Sequence, residues 1–131
     1  MSVVVDASVL VAAATDAGRD GAWAEGIVEE GDLVAPHLAL VEATNILRRL
    51  ELAGLLGRLE ATAAQRDLLR IGLELVPFEP FAERVWELRG SLTSYDAWYV
   101  AVAEGLDVPL ATLDRRLSRA TGPSCRFRLP P

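Results

Sequence analysis

The chain has 131 residues, 51% of them apolar, which is the size and composition of a single domain over residues 1–131 and excludes both intrinsic disorder and a small disulfide-stapled scaffold. One cysteine, Cys125, and one histidine, His37, exclude an internal disulfide and a Cys/His zinc cage. The net charge is -6 and all 13 basic residues are arginine, so chemistry that needs an amine is absent, a broadly basic nucleic-acid platform is disfavoured, and any work on polyanions needs metal or local arginines.

Residues 3–14 (VVVDASVLVAAA) resemble a secretory signal in length, but Asp6 interrupts them and no basic residue precedes Arg19, so they read as folded structure. No apolar run approaches the roughly 18 residues of a bilayer span. The expectation is a soluble, cytoplasmic protein with no membrane partner.

Val3 to Val5 is a β-branched run ending at Asp6, and Ser8 to Ala14 is Ala-rich, so the chain opens strand, turn, helix. A second helix is predicted over Asp20–Glu30, stopped at Gly31, and a short strand over Leu33–Pro36. The longest helical pattern runs from Leu38 to Leu52 before Gly54, and another covers Leu59–Ile71. Leu73–Phe78 reads as a third strand closed by prolines and Phe81–Leu88 as a helix. Ser94–Leu106 (SYDAWYVAVAEGL) is a buried helix with Ser94 as N-cap and Asp96 in its first turn. Val108–Thr112 is a strand, followed by Asp114, a short helix to Ala120 and an edge strand over Arg126–Leu129.

Strands alternating with helices imply an α/β fold, three layers α/β/α around a mostly parallel sheet of four or five strands. Sites in such sheets form beyond the carboxyl ends of the strands. If the first and fourth strands are neighbours, Asp6 and Asp114 share one edge, with Asp96 and Glu42 able to approach it.

Four carboxylates held together raise one another's pKa and call for a cation. Oxygen ligands without His or Cys favour Mg²⁺ or Mn²⁺, which activate water and neutralise charge on a phosphodiester. Ser8, Asn45 and Thr112 fall in register to orient the acids, while Arg48, Arg115 and Arg116 could meet a nucleic-acid backbone. Each residue has a plainer role open to it. Asp6 and Asp114 could cap helices, Glu42 could be solvated, Asp96 could serve the helix dipole, and the three polar neighbours could bond locally. His37 reads as a cap or surface residue, Arg115, Arg116 and Arg119 as a solvated face, and the Trp, Tyr and Phe residues as core rather than a base-stacking platform.

The segments VVVDASVLV, LVEATNIL, SYDAWYVAVAE and LATLD, in this order and spacing from Val3 to about Leu117, resemble the PIN-domain ribonucleases, specifically the VapC-like toxins of bacterial toxin–antitoxin pairs. The resemblance implies the α/β/α fold and Mg²⁺- or Mn²⁺-dependent endonuclease action on RNA. Asp6, Glu42, Asp96 and Asp114 stand at the family's acidic positions, and Ser8, Asn45 and Thr112 at its supporting polar ones. It further implies a homodimer and a cognate VapB-like antitoxin whose C-terminal segment covers the site and inserts an arginine among the acids. One departure is that many PIN domains carry another acid at the position of Leu117, which takes a ligand away from a second ion.

The mechanism expected has Asp6, Asp96 and Asp114 binding the ion, Glu42 helping to bind it or positioning the attacking water, and cleavage leaving 3′-hydroxyl and 5′-phosphate ends. The alternative is a catalytically inactive PIN-like binding module whose acids are occupied by a partner's arginine. For this reading Leu47, Leu50, Leu55, Leu56 and Leu59 supply a groove for a partner helix. A receiver-like switch lacks its lysine, and a haloacid-dehalogenase-type phosphatase would want an Asp where Ser8 stands.

Overall fold

A computed structural model describes all residues, Met1–Pro131. Five strands, β1 (Val3–Val5), β2 (Leu33–Pro36), β3 (Leu73–Val76), β4 (Leu110–Ala111) and β5 (Phe127–Arg128), form one sheet in the order β3-β2-β1-β4-β5. Every pairing is parallel, with Val4 opposite both Val34 and Leu110. Central β1 is buried on both faces, which is why it reads as unbroken valine rather than as an alternation. The strand predicted over Leu73–Phe78 stops at Val76, before Pro77, which lacks the N–H that ladder pairing uses.

The helices are α1 (Ala7–Thr15), α2 (Arg19–Glu29), α3 (Ala39–Leu52), α4 (Arg58–Arg70), α5 (Ala82–Glu87), α6 (Ser94–Leu106) and α7 (Arg115–Ser118), with a 3₁₀ turn at Glu79–Phe81 preceding α5. From β1 to β3 the chain steps outward in one direction, and from β3 to β4 it crosses back over β2 and β1. Right-handed crossovers then place α1 to α4 on one face and α5 and α6 on the other. The observed packing follows: α1 contacts α2, α3 and α4, whereas α6 packs on α5, β1 and β2. The strand order reverses between β1 and β4, and in open parallel sheets that reversal opens a crevice at the carboxyl ends.

Small residues set the close approaches. A Cβ at Gly21 would sit 1.7 Å from the Asp16 carbonyl oxygen, so glycine there is what lets α2 fold back against the end of α1. The short β5 is fastened by Arg128, whose guanidinium donates to both oxygens of Glu30 at 2.8 Å. No helix is long and apolar enough to cross a membrane.

Two expectations about particular side chains change. Ser94 is the first residue of α6 rather than its cap, because Thr93 has the extended backbone of an N-cap and its hydroxyl accepts from the Asp96 N–H at 3.2 Å. Trp86, Tyr95 and Phe78, expected in the core, are 66%, 58% and 38% exposed; the Arg89 guanidinium lies 4.3 Å from the Trp86 ring centroid, and Phe78 meets Trp98 edge-to-face at 5.3 Å. Trp98 and Tyr99 are buried as expected.

Candidate active site

Asp6 leaves the end of β1 in extended conformation and caps α1, accepting the Val9 N–H at 3.2 Å. The Ser8 hydroxyl donates to its Oδ1 and the Thr112 hydroxyl to its Oδ2. Both hydroxyls also accept from the turn after β4: Leu113 N–H reaches Ser8 Oγ at 3.2 Å, and Asp114 N–H reaches Thr112 Oγ1 at 3.0 Å. Ser8 and Thr112 therefore rivet the two strand ends across the crevice and fix the Asp6 carboxylate between them.

Asp114 is the N-cap of α7, its Oδ1 accepting from Arg116 N–H at 2.9 Å and Leu117 N–H at 3.2 Å. The capping role open to both aspartates is thus real, and for each it coexists with a place at the crevice. Asp96, in the first turn of α6, lines a small cleft of about 220 Å³ together with Asp114 and Arg116. Glu42, in the first turn of α3, accepts a 2.8 Å hydrogen bond on Oε1 from the Tyr99 hydroxyl. Tyr99 lies three residues after Asp96 on α6, so one helix presents both a carboxylate and the group that holds another. Reading Tyr99 as core missed this. The available signal was its hydroxyl, which needs a partner when the ring is buried in an otherwise apolar helix.

The electrostatics tie the acids into one field. Burial pushes the Asp6 carboxyl above the ordinary range against the pull of its Ser8, Thr112 and Val9 bonds, with the charge of Asp96 pushing the same way as burial. Glu42 is raised by burial and by the charges of Asp96 and Asp6, the Tyr99 bond opposing them. Asp96 is raised by burial and by Asp114, against its bond with Thr93. The Tyr99 hydroxyl is itself driven upward by burial and by Glu42, so it remains a donor at any physiological pH. None of the four acids forms an ion pair with an arginine.

No three of these carboxylates form a ready-made metal cage. A donor set of hard oxygens, mutually repelling and without paired cations, still fits an ion held by one or two carboxylates directly and by the others through its water, as Mg²⁺ commonly is. The remaining predicted residues are dispersed. Asn45 is exposed and bonds to none of the acids. Arg48 lines a separate crevice between α3 and α4. Arg115 donates to the Pro130 carbonyl at 2.7 Å, leaving Arg116 as the arginine beside Asp96 and Asp114. The leucine groove is redrawn: Leu47 is core and Leu59 is 85% exposed, while Leu50, Leu55 and Leu56 join Val11, Ile46 and Leu113 around a concavity of about 450 Å³ that reaches Ser8.

A family model described as PIN domain matches residues 3–123. Among curated proteins, Ribonuclease VapC1 of Mycobacterium tuberculosis is 39% identical over 96% of this chain and 96% of its own length. Ribonuclease VapC9 of the same organism is 36% identical over 98% of each. Among solved structures, a Pyrobaculum aerophilum protein superposes with a TM-score of 0.65 at 30% identity, covering 97% of this chain and 89% of that one. The fold is also shared with M. tuberculosis VapC20, titled a sarcin–ricin loop cleaving toxin, at a TM-score of 0.69 and 19% identity over 90% and 94% of the two chains.

Proposed function

This chain belongs to the PIN-domain family, and from that premise we propose that it is the metal-dependent endoribonuclease toxin of a toxin–antitoxin pair. The observation that carries the reading is the meeting of Asp6 and Asp114 at the β1/β4 reversal, with Asp96 and Glu42 coupled to them and no arginine neutralising the set.

Asp6, Asp96 and Asp114 would hold Mg²⁺ or Mn²⁺, directly or through water, with Glu42 completing the set. When bound, the ion supplies charge neutralisation and an acidified water. The protein supplies placement. Ser8 and Thr112 hold both oxygens of Asp6. Tyr99 holds one oxygen of Glu42, leaving the other to orient the attacking water for in-line attack on phosphorus. Arg116 lies where it can meet the phosphate backbone, with Arg48 and Arg115 contacting RNA farther out only if their side chains turn to it. Cleavage leaves 3′-hydroxyl and 5′-phosphate ends.

The partner is a VapB-like antitoxin, whose apolar helix fits the groove of Val11, Ile46, Leu50, Leu55, Leu56 and Leu113, and whose arginine would lie among the acids. A homodimer is part of the same reading. The groove is also what favours a binding module without catalysis. That second reading requires that Mn²⁺ titration give no heat and that Asp6→Asn keep partner binding.

The test is cleavage of RNA by purified protein in Mg²⁺, with the product ends sequenced. Asp6→Asn and Asp96→Asn are each expected to lower the rate by about 10²- to 10³-fold or more, with the fold kept by circular dichroism. Full cleavage by the double variant in Mg²⁺ would sink the proposal.

A further inference from the structure

Thr112 is fully buried at the end of β4, and it is held from the side away from β1 as well as from β1 itself. Its hydroxyl donates to Asp6 and accepts from the Asp114 N–H, while its backbone N–H donates to the Arg128 carbonyl at 3.1 Å. One residue past Asp114, the Arg115 guanidinium donates to the Pro130 carbonyl at 2.7 Å. The segment 126–130 therefore holds the chain on both sides of Asp114, through the carbonyls of two residues two apart. In extended backbone such carbonyls face the same side. Pro130 and Pro131 keep this stretch extended, since the residue before a proline is pushed out of the helical region.

Apolar packing does little to keep the segment in place. After Leu117 only Pro130 is buried, and β5 is short, with Phe127 partly covered by the core. Polar fastenings do the holding. Arg126 donates to the Asp107 carbonyl at 3.2 Å, and Arg128 spans to the C-cap of α2, its two terminal nitrogens on the two oxygens of Glu30 at 2.8 Å. An exposed ion pair ordinarily holds little, but two-pronged arginine–carboxylate geometry is the exception, because it fixes orientation as well as distance. Resting on the ribonuclease reading above, we propose that residues 126–130 are a strap that positions Thr112 and Asp114 in the acid site, with Arg128, Glu30 and Arg115 as its positioning residues. None of the three bonds to an acid of the site. They act through the backbone that carries Asp114. A misplacement of about 1 Å at a reacting centre can cost about a hundredfold in rate, so a fastening outside the site bears on its chemistry.

Arg128→Ala and Glu30→Gln test the strap, because they change the net charge in opposite directions. A long-range electrostatic effect on RNA would move them oppositely, whereas release of the strap moves them alike. In the full-length protein each is expected to lower kcat about tenfold with KM within about twofold, and combining Glu30→Arg with Arg128→Glu is expected to recover most of the loss. Arg115→Ala is expected to behave like the single variants; a raised KM at unchanged kcat would make Arg115 an RNA contact and overturn its place in the strap. Hydrogen exchange in EDTA reads the strap without the ion. The Thr112 and Asp114 amides are expected to exchange about tenfold faster in Arg128→Ala and Glu30→Gln, with the Val100 and Val102 amides on α6 unchanged. Equal exchange at Thr112 and Asp114 would overturn the proposal, as would acceleration throughout the chain, which would make the pair a general stabiliser. Faster local exchange with kcat unchanged would overturn the positioning role. If wild type cuts no RNA in Mg²⁺, the ribonuclease reading fails separately, and the exchange is then read beside the Mn²⁺ dissociation constant. A rise of about tenfold in that constant in both variants supports the strap, and an unchanged constant removes it.

Discussion

Helix α6 carries a carboxylate near each end, and the molecule treats them in opposite ways. Asp96 lies in the first turn, where the helix dipole already favours negative charge, yet burial and Asp114 hold its pKa above the ordinary range and no arginine forms an ion pair with it. Glu104 lies in the last turn, where the dipole is adverse. Burial would raise it further, but Arg84 Nε at 2.7 Å and the Ser124 N–H and hydroxyl at 2.7 and 2.9 Å override that and hold it below the ordinary range. Arginine is paired where the fold needs a fastening, at Glu104, whereas where the acids meet Arg116 lines the cleft without forming an ion pair. A carboxylate cluster left short of positive charge is a binding surface for something positive, whereas a saturated one is a joint.

Breaking the joint gives the largest stability effect. Glu104→Ala removes the bonds from Arg84 and from the Ser124 N–H and hydroxyl, leaving Arg84 with Glu87 and the Gly122 carbonyl, and is expected to cost about 1.5–2 kcal/mol in urea denaturation. Asp96→Asn, on the same helix, should change stability by no more than about 0.5 kcal/mol. A costly Asp96→Asn beside a harmless Glu104→Ala would reverse the contrast. A smaller effect sharpens it. Mn²⁺ at ten times its dissociation constant should stabilise wild type by about 1.4 kcal/mol, and EDTA should remove the gain. Asp96→Asn should lose most of that gain and Glu104→Gln should keep it, which thermal melts with and without the ion will read.

How much of this was legible in the sequence depends on the range of the interaction. β1, β2 and α6 have the predicted limits because their signals are local: valines closed by Asp6, Leu33 to Pro36, an apolar helix between Thr93 and Asp107. The four acids could be placed near one sheet edge from the element order, and the resemblance matched them to the family's acidic positions. Their meeting, however, depends on β1 pairing with β4, a contact between segments about a hundred residues apart that no local pattern encodes. The Thr112–Asp6 bond and the Tyr99–Glu42 bond were hidden for the same reason. Helical spacing likewise tells which face of an element is apolar, but not whether another element covers it. Tyr95 and Trp86 therefore read as core and prove exposed.

The smallest expected effect, a few degrees of melting temperature, tests the sign of the contrast. Asp6 binds its proton more tightly in the folded state, so its contribution favours folding fully below its unfolded value of 3.8 and is withdrawn as pH rises through the raised folded value. Glu104 binds its proton less tightly when folded, so its contribution is present above 4.5 and is lost as pH falls through the depressed folded value. Asparagine caps a helix as well as aspartate does and keeps an acceptor for the Val9 N–H. In EDTA, Asp6→Asn should therefore melt above wild type at pH 7, with the advantage closing as the pH is lowered toward 3.8. Glu104→Gln should melt below wild type at pH 7, and its deficit should shrink as the pH falls below 4.5. Parallel curves for wild type and both variants between pH 3 and pH 8 would mean that neither carboxylate differs between folded and unfolded chain, and the cation-poor rim would lose its electrostatic basis.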